Sequence, residues 1–294
     1  MSGSMTFLPD KVIALYADVN RENARSVAKR VAESFQGKGY AIALCPGCDQ
    51  HLDVRADGVR AEDARLLVTV GGDGTLLRAA RFAIEHDIPV LGINTGRLGF
   101  LTEFDDDDDR IGRLPELLER GLETEERVAL QAEYGGRNYF ALNDVVVRKG
   151  GISRIVPFGL NVDGDQAAHI PADGICIATP TGSTAYFLSA GGSIISPQVE
   201  AFGIVPLLPH TLFSRPLIVP ISSRITVSCD SEIVHANLEC DGDVVSELPP
   251  GASVIVSRHP KKVRFARTSR LNFFGRLEEK MRWGVSIKDG HRAR

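Results

Sequence analysis

Asp73 stands in the stretch Val68–Ala79, VTVGGDGTLLRA, with a glycine on each side and an apolar run before it. Glycines let the backbone turn sharply and approach a ligand closely. Amides exposed at such a turn, together with the start of a following helix, make an anion site. Phosphate is the natural anion, with Gly71, Gly72, Gly74 and Thr75 as its cradle. A carboxylate inside that cradle is repelled by its own ligand, so its presence needs a reason. Taking the proton from a hydroxyl that attacks the phosphate is one; capping the next helix is the other. The chain has neither the G-x-x-x-x-G-K-[ST] loop nor the G-x-G-x-x-G fingerprint, so the familiar phosphate loops do not account for the turn.

Three further stretches carry polar groups at strand or helix ends. In ALNDVVVRKG (Ala141–Gly150) the pair Asn143–Asp144 suits a base edge and a ribose diol, with a capped turn as the alternative. ADGICIATPTGSTAYFLSAGG (Ala172–Gly192) reads strand, tight turn, helix, and gathers Asp173, a row of hydroxyls and Tyr186 around one helix start. NTGRLGFLTEF (Asn94–Phe104) adds glycines and Phe100 at another strand end. Cys45, Cys48 and His51 have metal-like spacing, yet no second Cys-x-x-Cys completes a structural zinc site, and Pro46-Gly47 reads as a plain turn. His210, between prolines in LLPHTLFSRP, is expected to be structural.

The elements that position these groups fall into two kinds. Lys11–Ala17, YAIALC, Arg65–Val70 and Ile88–Ile93 are apolar runs of strand length. Helical spacing of Ala24, Val27, Ala28, Val31 and Phe35 lies between the first two, with Gly37 as a stop, and a second helix is expected over Leu76–His86. Apolar strands alternating with amphipathic helices imply a parallel sheet covered on both faces, which binds ligands at the carboxyl ends of its strands. From about Arg127 short strand-like stretches split by glycine and aspartate turns take over, with a short helix near Ser183–Leu188. The expected organisation is an α/β domain over 1–105, a linker with a short helix over 106–126, a β-rich, sandwich-like domain over 127–268, and a helical tail over 269–294 that packs back on the first domain. Asp105–Asp109 reads as a solvated hinge loop, since adjacent carboxylates repel one another; magnesium would need converging ligands.

The chain has 294 residues, 43% hydrophobic and 24% charged, which suits a globular protein of one large or two modest domains. Its formal charge of −4 argues against a general nucleic-acid binder. No apolar run is long enough for a membrane span and no secretory signal is visible, so the expected location is the cytoplasm. The odd count of five cysteines does not suggest a disulfide framework.

Taken together, GGDGTLLRAAR, GINTGRLGFL, LNDVVV, DGICIATPTGSTAYFLSAGG, PHTLFSRPL and LECDGD resemble the NAD kinase family, in its order and from about Val68 to Arg276. The resemblance implies transfer of the γ-phosphoryl group of ATP to the 2′-hydroxyl of the adenosine ribose of NAD⁺, with Asp73 as general base. It places Asp73 and Gly74 in the NAD site and Arg78 near its phosphates. Asn143 and Asp144 match the pair that contacts the dinucleotide, Arg154 a basic contact, and Asp173 the acid of the Asp-Gly turn. Thr184, Ala185, Tyr186 and Ser189 match the substrate segment, and Phe100 is expected to pack on a ring. A divalent metal, magnesium first, and a homodimer or homotetramer are further implications. Two departures stand out. Pro171 occupies the place of an arginine in Arg-x-Asp-Gly, and Asp243 that of a glutamine after Asp-Gly, both making the pocket more acidic. The rival readings are a diacylglycerol-kinase-like lipid kinase, which shares the Gly-Gly-Asp-Gly-Thr turn, and a non-catalytic NADP sensor.

Overall fold

A computed structural model describes residues 11–48, 52–96, 99–151, 155–268 and 273–284. The chain forms two compact units, one from Met1–Glu126 with Val263–Arg294 and the other from Arg127–Lys262.

In the first unit β1 (Val12–Ala17), β2 (Ala41–Leu44), β3 (Leu66–Gly71) and β4 (Val90–Asn94) form the expected parallel sheet, with α1 (Glu22–Gln36) and α2 (Asp73–His86) between strands. The α1 face buries Ala24, Val27, Ala28, Val31 and Phe35, as their spacing requires. Gly37 ends it, its amide bonding the carbonyl of Glu33 at 2.9 Å. Helix α2 begins at Asp73, earlier than Leu76, because the glycine turn itself forms the first helical turn. After it come β5 (Phe104–Asp105), α3 (Leu114–Glu119) and β6 (Glu123–Arg127).

The second unit holds β7 (Leu130–Tyr134), β8 (Arg137–Ala141), β9 (Asp144–Lys149), β10 (Val156–Val162), β11 (Asp165–Ala172), β12 (Gly174–Ala178), α4 (Tyr186–Ser189) and β13 (Ala201–Leu207). It ends with β14 (Leu217–Pro220), β15 (Ile225–Cys229), β16 (Ala236–Cys240), β17 (Asp243–Leu248) and β18 (Ser253–Arg258). These pair as two antiparallel sheets, in the orders β11-β10-β15-β18-β7-β8 and β14-β13-β12-β9-β16-β17. Phe158, Val227 and Val256 of one sheet share a core with Ile175, Phe202 and Leu238 of the other, which makes the unit a β-sandwich. Alternating burial along β15 and β16 is the signature of that packing.

Two expectations need correction. Residues 263–267, read as the end of the β-rich segment, form β19 (Val263–Arg267), which lies in the first sheet, in the order β2-β1-β3-β4-β19-β6. Its apolar Val263, Phe265 and Ala266 are buried there. Sequence order alone did not disclose that the chain returns. The acidic run is also more ordered than a hinge loop. Asp105 ends β5 and accepts from Asn94 Nδ2 at 3.1 Å, while Asp108 accepts from the amide of Arg110 at 2.8 Å and starts a 3₁₀ turn. Capping and partner side chains disperse the like charge that would otherwise keep the run irregular. The tail helix α5 (Phe273–Met281) belongs to the first unit, as expected.

Strand β12 is buried along its whole length, although an antiparallel strand ordinarily shows one face to water. Its second face, Cys176 and Ala178, is covered by Phe187 of α4, itself 0% exposed. Side-chain atoms at Gly192 and Gly203 would lie 2.2 and 2.4 Å from the Phe187 ring, so only glycine leaves room for it. Phe187 thus fixes the short helix that carries Tyr186 and Ser189. Phe187→Ala should cost about 3–5 kcal/mol and Gly203→Ala about 1–3 kcal/mol. Urea unfolding curves would check both.

Candidate functional site

Each unit carries its own constellation. In the first, Gly72 is the N-cap of α2 and offers no side chain, so the helix starts without a side-chain cap. Asp73 does not cap it either. Its carboxylate reaches the loop after β4 and accepts from the amides of Phe100 at 2.7 Å and Leu101 at 3.1 Å. The capping alternative is therefore removed, and each carboxylate oxygen keeps lone-pair capacity for another partner. Gly99 makes the approach fit, since a side-chain carbon there would meet Asp73 Oδ1 at 1.9 Å. A side chain at Gly71 would meet Thr75 Oγ1 at 2.2 Å, so the turn packs its threonine inward while Gly74 stays open. Arg78 is exposed one helical turn further on.

Behind the loop lies a cationic brace. Arg276 of α5, 5% exposed, donates to the carbonyls of Gly99 at 3.3 Å and of Thr102. Lys280, one turn on, sits 4.5 Å from the centre of the Phe100 ring. Thr95 and Thr102 carry buried hydroxyls without a hydrogen-bond partner. The threonines belong to NTGRLGFLTEF, but the basic residues of LNFFGRLEEKMRWG became legible only once α5 was seen to pack on the loop.

In the second unit Asp241 accepts from the amides of Leu142 at 2.8 Å, Asn143 at 2.7 Å and Asp144 at 3.2 Å. That carboxylate ends β8 and starts β9, which sets the Asn143–Asp144 corner. The carbonyl of Asn143 accepts from Thr179 at 2.9 Å, and Gly182 packs so closely that a side-chain carbon would lie 2.0 Å from it. The corner is thereby brought against the 3₁₀ turn Gly182–Thr184, followed by Ala185. Asp144 is only 4% exposed. Burial, reinforced by Asp241 and then Glu239, raises its pKa to about 7.

Asp173, Tyr186 and Ser189 line a cleft of about 550 Å³ that also takes in Arg148 and Lys149. Asp144 and Asp243 are not among its walls, and Asp243 lies exposed at the start of β17. Arg154 and His51 lie outside the described residues. Arg148 and Lys149 were missed, although RKG at a strand end is a visible basic pair. Arg148 donates to the Tyr186 hydroxyl at 2.9 Å and stacks over its ring at 5.3 Å. Lys149 Nζ lies 2.7 Å from Asp173 Oδ1. The cleft therefore carries cations from β9.

His210 is exposed, and its backbone amide donates to the carbonyl of Pro171 at 2.8 Å. Cys45 and Cys48 are buried; burial pushes the Cys45 thiol up to about 12, so it is held as a neutral thiol. Among the described residues no cluster of three metal-ligating His, Cys, Asp or Glu side chains occurs. Nor is any helix among them long and apolar enough to cross a membrane.

A glycine turn presenting one carboxylate at a helix start, joined to a β-sandwich with a nucleotide-sized cleft that carries Arg148, Lys149 and Asp173, points to a two-unit phosphotransferase of nucleotides. The family model for the ATP-NAD kinase N-terminal domain matches residues 7–123, and that for the C-terminal domain residues 142–268. The chain belongs to the NAD kinase family, and it is a kinase acting on NAD. It is 42% identical over 231 residues to the NAD kinase of Gemmatimonas aurantiaca, covering 76% of this chain and 80% of that one. It is 36% identical to that of Geotalea daltonii, covering 93% and 99%. Among solved structures, yeast NADH kinase complexed with NADH matches with a TM-score of 0.80 at 26% identity, covering 95% of this chain and 90% of the other. An NAD kinase from Archaeoglobus fulgidus in complex with ATP matches with a TM-score of 0.73 at 25% identity, covering 92% and 98%. Neither the lipid-kinase reading nor the sensor reading gains support from these matches.

The raised pKa of Asp144 gives a test of the second unit. A carboxyl group raised on folding stabilises the fold below its unfolded pKa, and that contribution is lost as pH climbs through the folded value. The window runs from the ordinary carboxylate range to about 7. Asp144→Asn should therefore melt above the parent chain at pH 8, with the gap closing towards pH 5. Differential scanning calorimetry across that range would show it.

Proposed function

We propose that this chain forms NADP⁺ by moving the γ-phosphoryl group of ATP onto the 2′-oxygen of the adenosine ribose of NAD⁺, with Asp73 as general base. The observation that carries the proposal is the Asp73 carboxylate, held by two backbone amides at the open glycine turn rather than spent on capping α2. Phosphoryl transfer has a loose transition state, so rate comes mainly from placing the two substrates and neutralising charge. Gly71, Gly72, Gly74 and Thr75 are assigned to the donor phosphates. The dinucleotide is assigned to Gly74, Arg78 and Phe100 in the first unit, and to Asn143, Asp144, Arg154, Asp173, Thr184, Ala185, Tyr186, Ser189 and Asp243 in the second. Arg148 and Lys149 join them as cations in the cleft.

Magnesium is proposed to enter with ATP, where it neutralises phosphate charge. Such ions take one or two carboxylates and the substrate's own oxygens, which fits described residues that hold no preformed cluster of three ligating side chains. A cytoplasmic location, no role for nucleic acid or membrane, and a homodimer or homotetramer complete the reading. Exposed Leu212, Phe213, Leu217 and Ile218 on the second unit are in keeping with self-association.

A coupled assay with NAD⁺, ATP and magnesium should yield NADP⁺. Asp73→Asn keeps the shape and loses the proton acceptor, so kcat should fall by about 10²–10⁴-fold with NAD⁺ affinity within a few-fold. An NAD⁺ analogue lacking only the 2′-hydroxyl should bind without being phosphorylated. Near-normal turnover by the folded Asn variant would move the base elsewhere.

A further inference from the structure

Helix α5 brings two cations to the loop that holds Asp73, and they are differently disposed. Arg276 is buried and committed, donating to the Gly99 and Thr102 carbonyls and lying 3.4 Å from Glu103. Lys280 makes no salt bridge among the described residues. Its ammonium lies over Phe100, whose amide is bonded to Asp73. The charged groups that act on it are the Asp73 carboxylate from α2 and the Arg276 guanidinium from its own helix. Partial burial lowers the Lys280 pKa and Arg276 lowers it further, while the Asp73 carboxylate opposes both. The neighbouring Thr102 hydroxyl is buried and unpartnered. An ammonium without a salt bridge among the described residues, resting on the ring whose own amide binds Asp73, suits an incoming group rich in oxygen and negative charge.

We propose that Lys280 is a further catalytic residue, whose ammonium contacts the γ-phosphoryl group in transit beside Asp73. The inference rests on Asp73 marking the place of transfer. The 2′-oxygen forms its bond to the γ-phosphorus as the bond to the β,γ-bridging oxygen breaks. The electron pair of that bond leaves with ADP, and the hydroxyl proton passes to Asp73. Lys280 gains and loses no proton. It donates hydrogen bonds to the oxygens on which charge is spread, and a flexible four-carbon stem lets it follow them. Phe100 then serves as the surface on which the stem and ammonium rest between turnovers, through a cation–π contact.

The test uses the full chain with Lys280→Met, which keeps length and removes charge, and Lys280→Arg, which keeps charge. Lys280→Met should lower kcat by about 10²-fold with KM for NAD⁺ changed less than about threefold. Calorimetric titration should show ATP binding weakened at least tenfold and ADP binding nearly unchanged, because only ATP carries the group in question. Lys280→Arg should recover much of both losses. Lys280→Gln carries the same comparison if the methionine variant does not fold. A kcat within threefold of the parent, or equal weakening of ATP and ADP, would overturn the proposal and leave Lys280 as packing on Phe100. Asp73→Asn leaves the preference for ATP over ADP in place, so failure of the general-base reading is read out separately.

Discussion

One buried carboxylate organises the first unit. Glu103, its side chain 1% exposed, accepts from the amide and hydroxyl of Thr268 at 2.8 and 3.0 Å and lies 3.4 Å from both Arg267 and Arg276. Those arginines also donate to carbonyls of the segment 99–102: Arg267 to Leu101 at 3.0 Å, Arg276 to Gly99 and Thr102. The loop is therefore bound by its carbonyls on one side and gives its amides to Asp73 on the other. Charge burial of this kind gains little by itself, but removing one partner strands the rest and typically costs about 3–5 kcal/mol. The position of Asp73 follows from a network whose members come from the loop after β4, from β19 and from α5.

The second unit reaches its polar site by a different route. There the organising groups are an apolar plug and a turn carboxylate. Phe187 seals the outer face of β12 and holds α4; Asp241 gathers three successive amides and breaks the strand pattern at Asn143. Both devices need bare backbone beside them, at Gly203 for the ring and at Gly182 for the corner. The two pairs that result, Tyr186 with Ser189 and Lys149 with Asp173, line one cleft.

Much of this was legible in the sequence because it is local. Apolar periodicity gave α1 its buried face, and glycines about Asp73 announced a strand-to-helix turn. What stayed hidden was set by partners distant along the chain. Val263–Arg267 has the alternating look of any antiparallel strand, and only its pairing with β4, Phe265 opposite Val90, assigns it to the parallel sheet. The carboxylates 105–109 repel one another in sequence, yet Asn94, Asn23 and Arg110 lie ready to bind them in space. Asp73 had helix capping as its alternative reading, and the amides that claim it belong to residues 100 and 101. Lys280 and Arg276 drew no reading beyond a helical tail, because the loop they brace is distant along the chain, with Gly99 177 residues from Arg276.

The return of β19 to the first sheet also sets an order of events during synthesis. The strand sits between β4 and β6, and it is made only after the whole segment 127–262. A nascent chain ending before Val263 leaves one edge of β4 short of its long neighbour and deprives β6 of the strand beside it, with Thr268 and both arginines still to come for Glu103. Sandwich residues 127–262 are contiguous and can close first, whereas the first sheet waits until β19 has been made. A truncated product lacking β19 would combine a folded sandwich with an unsealed, aggregation-prone edge in the first sheet.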